Sequence, residues 1–422
     1  MKLLRVGICT LVVFGVVAHG AVEDWARAVL QIGAALLFLI WALRAYLKKE
    51  QVSFIPSLLR PLVALALVGL LQWVFRFTAS SYNTAMELQL LITYILIVFV
   101  AAQAFRTVED FRGLAWFVMI FGFLVAIFGI LQHLTFNGKL YWVREMHFGG
   151  IPFGPYVNRN HFAGFAELVI PFSLIPLVLG KVRRERWFLV AMLAVIPIGA
   201  LFYSASRGGI VSFAVEAGAI VVWLVVRRSA RRHLVSAGAV VLLAFLMVSW
   251  LGVRQALERF SSMQSLEVTQ GKRTSMALDT WHIFLDHPFI GTGLGTLQTV
   301  FPPYETLYDG KIVNHTHNDY LEALAETGIL GGACCLWFLG TLLLQALQRL
   351  SQSRSALAAT LQLSGLVGCL GFLTHSLVDF NLHIPANALL FFLLAYVATV
   401  EIQQTWPATP ELGRLSRQPR KH

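Results

Sequence analysis

The chain has 422 residues, of which 57% are hydrophobic and 13% charged, and its mean hydropathy is +0.69. Soluble domains carry roughly 25% charged residues, so this composition excludes an ordinary soluble enzyme, a disordered protein and a secreted disulfide scaffold. The net charge of +11 must be interpreted by its location, because basic residues mark one side of the bilayer in a membrane protein. The four cysteines lie in apolar runs without a C-x-x-C pair, which favours small core residues.

Twelve apolar runs follow one another along the chain. A helix needs about 20 apolar residues to cross a hydrocarbon core of roughly 30 Å, and each run is near that length. We therefore predict an all-α, polytopic membrane protein with about twelve transmembrane helices. The runs lie near 5–22, 27–46, 59–77, 85–105, 112–134, 161–180, 187–204, 209–226, 233–252, 321–348, 357–377 and 384–403.

The basic residues predict the orientation of these helices. With the N-terminus inside, the inner segments and adjacent span ends hold 22 of the 33 Lys and Arg residues. Because cytoplasmic loops carry the excess of Lys and Arg, both termini are predicted to be cytoplasmic. We expect a single transmembrane domain over 1–404, which includes a large outer loop at 253–320, and a basic cytoplasmic tail at 405–422. The basic runs then act as topology determinants and contacts for membrane lipids, and nucleic acid is not expected as a partner.

Unusual polar residues collect on the predicted outer side. Polar groups near a membrane face are functional candidates, because exposing them to lipid is costly. Most fall in four strings: Asn158-Arg159-Asn160-His161, Ser206-Arg207-Gly208-Gly209, Lys272-Arg273, and His315-Thr316-His317-Asn318-Asp319. The turn between the last two predicted spans adds His375, Asp379 and His383, and the spans themselves contain Glu167 and Glu216. The sequence assigns no role to these last five residues.

Some of these residues also fit a structural role. Asn160 is placed to cap the sixth helix. Asp319, with Glu322 three residues later, has the pattern of a capping box. Arg207 has the alternative of extending to lipid headgroups. The histidines at 315 and 317 lack H-E-x-x-H or C-x-x-C spacing, so neither a metal site nor a cofactor is predicted.

The outer polar residues suggest chemistry on a lipid-linked diphosphate. Arg207 and Arg273 are two permanent cations on the same side, and guanidinium groups grip phosphate oxygens with paired hydrogen bonds. A diphosphate leaving group needs such charge stabilisation as a glycosidic bond breaks. A sugar hydroxyl needs a base near neutral pH, which suits histidine with its ordinary pKa of about 6.5. We therefore hypothesise transfer of a glycan from a lipid diphosphate to a hydroxyl.

The polar strings resemble a known family. His317-Asn318, followed after nine residues by Gly328-x-x-Gly331, resembles the histidine motif of bacterial O-antigen ligases. The resemblance covers roughly residues 150–340 and extends to the wider O-antigen ligase and polymerase superfamily. Further matching positions are Ser206-Arg207-Gly208, Arg273, Trp281, His287-Pro288 and Gly291-x-Gly293.

This resemblance implies a fold, a reaction and a location. The fold would be GT-C-like, with a large periplasmic loop, in the bacterial inner membrane. The reaction would be a metal-independent, inverting transfer of O-antigen polysaccharide, as in lipopolysaccharide biosynthesis. The donor would be an undecaprenyl-diphosphate-linked glycan, the acceptor a hydroxyl of the lipid A core, and the active site periplasmic. The sequence leaves the oligomeric state open.

The resemblance also implies residue roles. Arg207 and Arg273 would bind the diphosphate, and His317 would be the base for the acceptor hydroxyl. His315 and Asn318 would orient or assist it. Arg159 and Asn160 join the predicted diphosphate site from their position alone.

Other functions remain possible on the sequence. An O-antigen or exopolysaccharide polymerase would share the fold and donor but extend another lipid-linked glycan. A protein-glycosylating relative is a further alternative. A transporter or flippase would use the outer cations as an anion vestibule, but transporters tend to show internal repeats and a charged site near the bilayer middle. Neither feature is visible here, and ligase remains the first prediction.

Overall fold

A computed structural model describes residues 1–49, 52, 54–145, 151–227, 270–353 and 355–403. Within them the chain is helical and forms no β-strand, only three isolated bridges. The predicted ninth span at 233–252, the first part of the large loop and the predicted tail at 405–422 lie outside the described residues.

Helices follow the apolar runs in chain order. Their bounds are α1 Lys2–Val17, α2 Asp24–Lys48, α3 Leu59–Val74, α4 Ser81–Ala104, α5 Val108–Leu134, α6 Arg159–Val178, α7 Arg184–Tyr203, α8 Arg207–Val226, α9 Gln270–Asp286, α10 Leu297–Val300, α11 Asp319–Gln352, α12 Ala356–His375 and α13 Pro385–Thr399. Short 3₁₀ turns lie at His19–Ala21, Pro302–Tyr304 and Asn381–His383.

The predicted membrane architecture is confirmed for the described part of the chain. Eleven of the twelve predicted spans coincide with a helix, and eight of these helices are long and apolar enough to cross a membrane. The other three are α1, α3 and α13, with 16, 16 and 15 residues. The chain is therefore an all-α polytopic membrane protein.

The core of the bundle is built around α6 and α13. Nearly every residue of both helices is buried, while α2 and α8 expose broad apolar faces. A helix that is apolar all round belongs in the interior, and an exposed apolar face in such a protein suits contact with lipid. α6 packs against α12, α7, α5 and α8, so its first turn is held in place from several sides.

Three helices begin at the same end of the bundle, near the turn between α12 and α13. Asn158 caps α6, Ser206 caps α8 and Asn318 caps α11, each by accepting backbone hydrogen bonds through its side chain. Two predicted caps are therefore wrong by a residue or two. Asn158 caps α6 in place of Asn160, and Asn318 caps α11 in place of Asp319. The side chains of Asn160 and Asp319 therefore form hydrogen bonds with other residues.

α11 is interrupted near its start by Gly328. Its backbone has φ 62° and ψ −163°, a conformation open essentially only to glycine. The break frees the next two amide groups, and Ile329 N–H and Leu330 N–H donate to the carbonyls of Pro288 and Phe289. The segment after α9 is thereby fixed against α11, which brings the large loop to the end of the bundle.

Candidate active site

A cavity of about 790 Å³ opens where the first turns of α6, α8 and α11 meet α9 and the α12–α13 turn. It contains residues from each of the four polar strings and from the turn between the last two predicted spans. Its lining includes Arg159, Asn160, Arg207, Arg273, His317, Asn318, His375 and Asp379, with Thr274, Ala277 and Thr316 between them. Six of the seven predicted site residues therefore line one cavity, and His315 does not.

Three guanidinium groups face this cavity from three different helices. Arg207 is exposed at the first position of α8, and Arg159 is buried at the first position of α6. Arg273 on α9 donates from Nη1 to the Val378 carbonyl at 3.2 Å, which fixes the loop helix against the α12–α13 turn. Asp379 is the only carboxylate among the described residues of the lining. The cavity is therefore strongly cationic.

The helix starts add to this positive potential. The first backbone N–H groups of a helix carry partial positive charge and bind anions. α6, α8 and α11 all begin beside the cavity, with Asn160, Gly208 and Asn318 in its wall. The site combines fixed dipoles and guanidinium groups in the way that suits a phosphorylated ligand.

His317 is paired with a buried carboxylate. Its Nδ1 lies 3.2 Å from Oδ1 of Asp379, which leaves Nε2 as the nitrogen that Asp379 does not hold. The same carboxylate accepts from Asn160 Nδ2 at 2.6 Å and from the Phe380 backbone N–H at 2.9 Å. Burial raises the pKa of the Asp379 carboxyl, but the adjacent His317 imidazole, together with His161 and Arg273, outweighs burial and holds that pKa well below its usual range. Asp379 is therefore an ionised orienting partner for the ring.

A series of hydrogen bonds connects this pair to α6 and α8. Ser206 Oγ donates to Asn160 Oδ1 at 2.9 Å, and Asn160 in turn donates to Asp379. Ser206 is the cap of α8 and precedes Arg207, whereas Asn160 lies in the first turn of α6. The imidazole of His317 is thereby linked to the helix start that presents Arg207.

The backbone at His317 is strained. Its φ of 56° is left-handed, which is uncommon for a residue with a side chain. Asn318 holds the next position by accepting from Tyr320 N–H and Leu321 N–H and by donating Nδ2 to the Leu377 carbonyl at 3.0 Å. Strain of this kind persists where the surrounding contacts impose it, and it is common at functional sites.

His315 lies outside the cavity lining and contacts Phe380. Its ring stacks on the Phe380 ring with centroids 4.5 Å apart, whereas His317 meets the same ring edge-on at 4.9 Å. His315 Nδ1 is 2.7 Å from Glu322 Oε1, away from the cavity. The structure therefore places His315 in a separate polar cluster, while Phe380 contacts both histidine rings.

Beside Phe380 the chain assembles a second polar cluster. The ligand atoms of His315, Glu322 and His383 lie within 4.8 Å of one another, so these residues could hold a metal ion. Asp319 Oδ1 is 2.8 Å from His383 Nδ1. Burial lowers the pKa of His383, but Glu322 and Asp319 together raise it to about 10. The sequence prediction of no metal site rested on local spacing and did not consider His383, which is distant in the chain.

Two residues of the cavity carried no assigned role in the sequence. Asp379 is 62 positions from His317 and forms no motif with it, so only the fold pairs them. His375 lies in the last turn of α12 with Nδ1 2.8 Å from Glu167 Oε1 on α6. The signal in the sequence that pointed to Asp379 and His375 was their predicted position on the outer side, near the turn between the last two spans.

Comparison with known proteins identifies the central part of the chain. Residues 192–336, about a third of its length, match the family model described as O-antigen ligase. The match includes Arg207, Arg273 and His317, and it ends before Asp379. No curated protein matches the chain. The resemblance predicted from the motifs is confirmed over this segment.

Proposed function

We propose that this chain, whose residues 192–336 belong to the O-antigen ligase family, transfers an O-antigen glycan from undecaprenyl diphosphate to a hydroxyl of the lipid A core. The family match supports an enzyme that processes O-antigen. The observation that carries the finer proposal is the cavity in which three guanidinium groups face the Asp379–His317 pair.

The arginines form the donor end of the proposed site. A lipid diphosphate carries several anionic oxygens, and planar guanidinium groups bind such oxygens in pairs. Arg207 and Arg273 approach from α8 and α9, and Arg159 adds a third charge from α6. As the glycosidic bond breaks, negative charge grows on the diphosphate, and these fixed cations stabilise it. We propose that they replace a divalent metal in this role.

His317 is the proposed base for the acceptor. Its Nε2 takes the proton of the acceptor hydroxyl while the hydroxyl oxygen attacks the anomeric carbon of the donor sugar. The bond from that carbon to the diphosphate oxygen breaks, and undecaprenyl diphosphate leaves with the electron pair. A single displacement from the side opposite the leaving group inverts the anomeric configuration. Asp379 orients the ring and stabilises the imidazolium that forms, as a carboxylate does in other His–Asp pairs.

The proposed setting is the periplasmic face of a bacterial inner membrane, with both termini cytoplasmic and a GT-C-like arrangement of helices. The charge pattern of the sequence supports this orientation, because it leaves the cavity residues on the side that is poor in Lys and Arg. A lipid-linked donor is then held with its isoprenoid chain in the bilayer and its glycan outside.

The decisive experiment offers purified protein a lipid-linked glycan with and without lipid A core. The proposal predicts glycan attached to the core only when the core is present. Longer lipid-linked chains formed without the core would instead identify a polymerase. Movement of the intact donor between leaflets of sealed vesicles, without any bond exchange, would identify a flippase and contradict the proposal.

A further inference from the structure

The cluster of His315, Glu322 and His383 beside Phe380 has the composition of a metal site. Glu322 Oε1 lies 2.7 Å from His315 Nδ1 and 3.3 Å from His383 Nε2. A tetrahedral zinc ion holds nitrogen and oxygen ligands at about 2.0–2.2 Å, so its ligand atoms are roughly 3.3 Å apart. The Glu322–His383 spacing meets this requirement, the Glu322–His315 spacing is the shorter one of a direct hydrogen bond, and all the ligand atoms lie within 4.8 Å of one another.

The charge balance of the cluster favours a cation. Asp319, Glu322 and Glu326 follow one another along the first two turns of α11, and each is at most 3% exposed. In the part of the chain that the structure describes, no Lys or Arg forms an ion pair with any of the three. Glu322 and Asp319 are paired instead with His315 and His383, and a bound metal ion would take the place of the histidine proton in balancing these buried carboxylates.

The surrounding contacts match those of known metal centres. A metal-binding histidine commonly donates its other ring N–H to a carboxylate, which fixes its tautomer and orientation. His383 has this arrangement, with Asp319 Oδ1 at Nδ1 and Nε2 turned to Glu322. The second oxygen of Glu322 accepts from the Thr316 backbone N–H at 2.9 Å, so this ligand is also held in position.

We propose that His315, Glu322 and His383 bind a zinc ion, with Asp319 as the outer carboxylate that orients His383. Two imidazoles and one carboxylate are a ligand set that zinc accepts. The side chains of the two histidines are 26% and 20% exposed, which leaves a path for the ion and room for a water ligand.

Such an ion would connect three separate segments of the chain. His315 precedes α11, Glu322 lies within α11, and His383 lies in the α12–α13 turn. His317 is two residues after the first ligand, and Asp379 is four residues before the last. None of the three ligands lines the cavity, so the proposed role of the ion is to position the two segments that carry the His317–Asp379 pair.

The test measures zinc directly on full-length protein purified without a polyhistidine tag. After incubation with zinc chloride and gel filtration, elemental analysis should find one zinc per chain, and zinc should raise the thermal unfolding temperature. His315→Ala and His383→Ala should lose the bound zinc and its effect on unfolding. The matched control is His282→Ala, which removes an exposed histidine of α9 and should bind zinc like the unaltered protein.

A milder variant keeps all three ligands. Asp319→Asn should weaken zinc affinity by about 10–100-fold, the usual effect of removing an outer carboxylate. Substitution with Co²⁺ gives a second readout, since its visible absorption reports ligand number in protein that elutes as folded. Absence of bound zinc in the unaltered protein, or zinc binding that the ligand variants leave unchanged, would overturn the proposal. Because none of these measurements uses glycan transfer, they stand apart from the test of the proposed function.

Discussion

The imidazole of His317 depends on contacts made by residues far from it in sequence. Its partner Asp379 is 62 positions away, and Asp379 is itself held by Asn160 from another helix. The sequence could single out His317 because a motif surrounds it. It could not assign Asp379, because no local spacing connects the two residues.

Replacement of His317 or its partner tests the proposed base. We expect His317→Ala to abolish glycan attachment and Asp379→Asn to lower kcat by roughly 10²–10⁴-fold, the usual range for losing general base catalysis. The KM for the donor should change little, because neither residue is proposed to bind the diphosphate. Steady-state kinetics on protein that elutes as folded measures both effects, with His282→Ala as the control. Normal attachment by His317→Ala would refute the assignment.

The arginine cluster makes a separate prediction about the donor. Removing a charged hydrogen-bond partner typically costs about 1.5–3 kcal/mol, so Arg207→Ala and Arg273→Ala should each weaken donor binding by about 10–100-fold. Lysine should restore only part of the affinity, since it lacks the paired donors of guanidinium. Titration of purified lipid-linked glycan measures the Kd. Arg76→Ala, an exposed arginine outside the cavity, is the control. Donor affinity equal to that of the control would remove the proposed clamp.

Metal independence of the transfer is the third prediction at this scale. Mg²⁺ and Mn²⁺ prefer oxygen ligands and would act by bridging the diphosphate. With three guanidinium groups in the cavity, adding either ion to a buffer cleared of free divalent ions should leave the initial rate unchanged. None of the proposed zinc ligands lines the cavity, so that ion is not expected to contact the diphosphate. A strict requirement for Mg²⁺ or Mn²⁺ would contradict the arginine mechanism.

The position of His315 outside the cavity could not be predicted from the sequence. Two histidines two positions apart are expected to face the same way in an extended segment. The backbone at His317 is left-handed, and the two rings contact Phe380 in different orientations, with His315 stacked and His317 edge-on. Nothing in the local sequence specified this backbone conformation, which the contacts of Asn318 and Asp379 hold in place.

At the scale of elements, the helices were the most predictable part of the molecule. Long apolar runs can bury their backbone polar groups in a membrane only as helices, so hydropathy alone located them. Their starting residues were less predictable. Asn and Asp both cap helices well, and the choice of Asn318 over Asp319 depends on His383 and Leu382, which take up the Asp319 carboxylate.

The break in α11 predicts that alanine substitutions at two of its glycines change the stability in opposite directions. Gly328→Ala should lower the thermal unfolding temperature, because a side chain is strained at its φ of 62° and would overlap the Phe289 carbonyl. The expected cost is about 1–3 kcal/mol or more.

The control lies in the same helix. Gly340→Ala meets no atom within 4 Å and should raise stability by about 0.5–1 kcal/mol, since alanine favours helix. Thermal unfolding in one detergent compares the two variants. Equal effects at both positions would show that the break at Gly328 has no special conformational requirement.

At the scale of the whole molecule, the distribution of charge predicts which way the bundle faces. The predicted inner segments and span ends hold 22 of the 33 basic residues, and the cavity residues lie on the predicted outer side, which holds the smaller share. A fluorescent protein that matures only in the cytoplasm should therefore fluoresce when fused to the C-terminus. Alkaline phosphatase, active only after export, should be active when inserted at Gly310, an exposed position of the predicted outer loop. The reverse pattern would invert the topology and move the cavity to the cytosol.

The hydrogen-bonded series from Ser206 through Asn160 and Asp379 to His317 draws on four separate stretches of chain. The distances in this series therefore depend on the relative positions of the helices that carry these residues. A slide of α6 along α8 by a single ångström would stretch these links while every helix stayed intact. A change of bilayer thickness or of detergent should therefore abolish turnover under conditions in which circular dichroism still shows the full helix content.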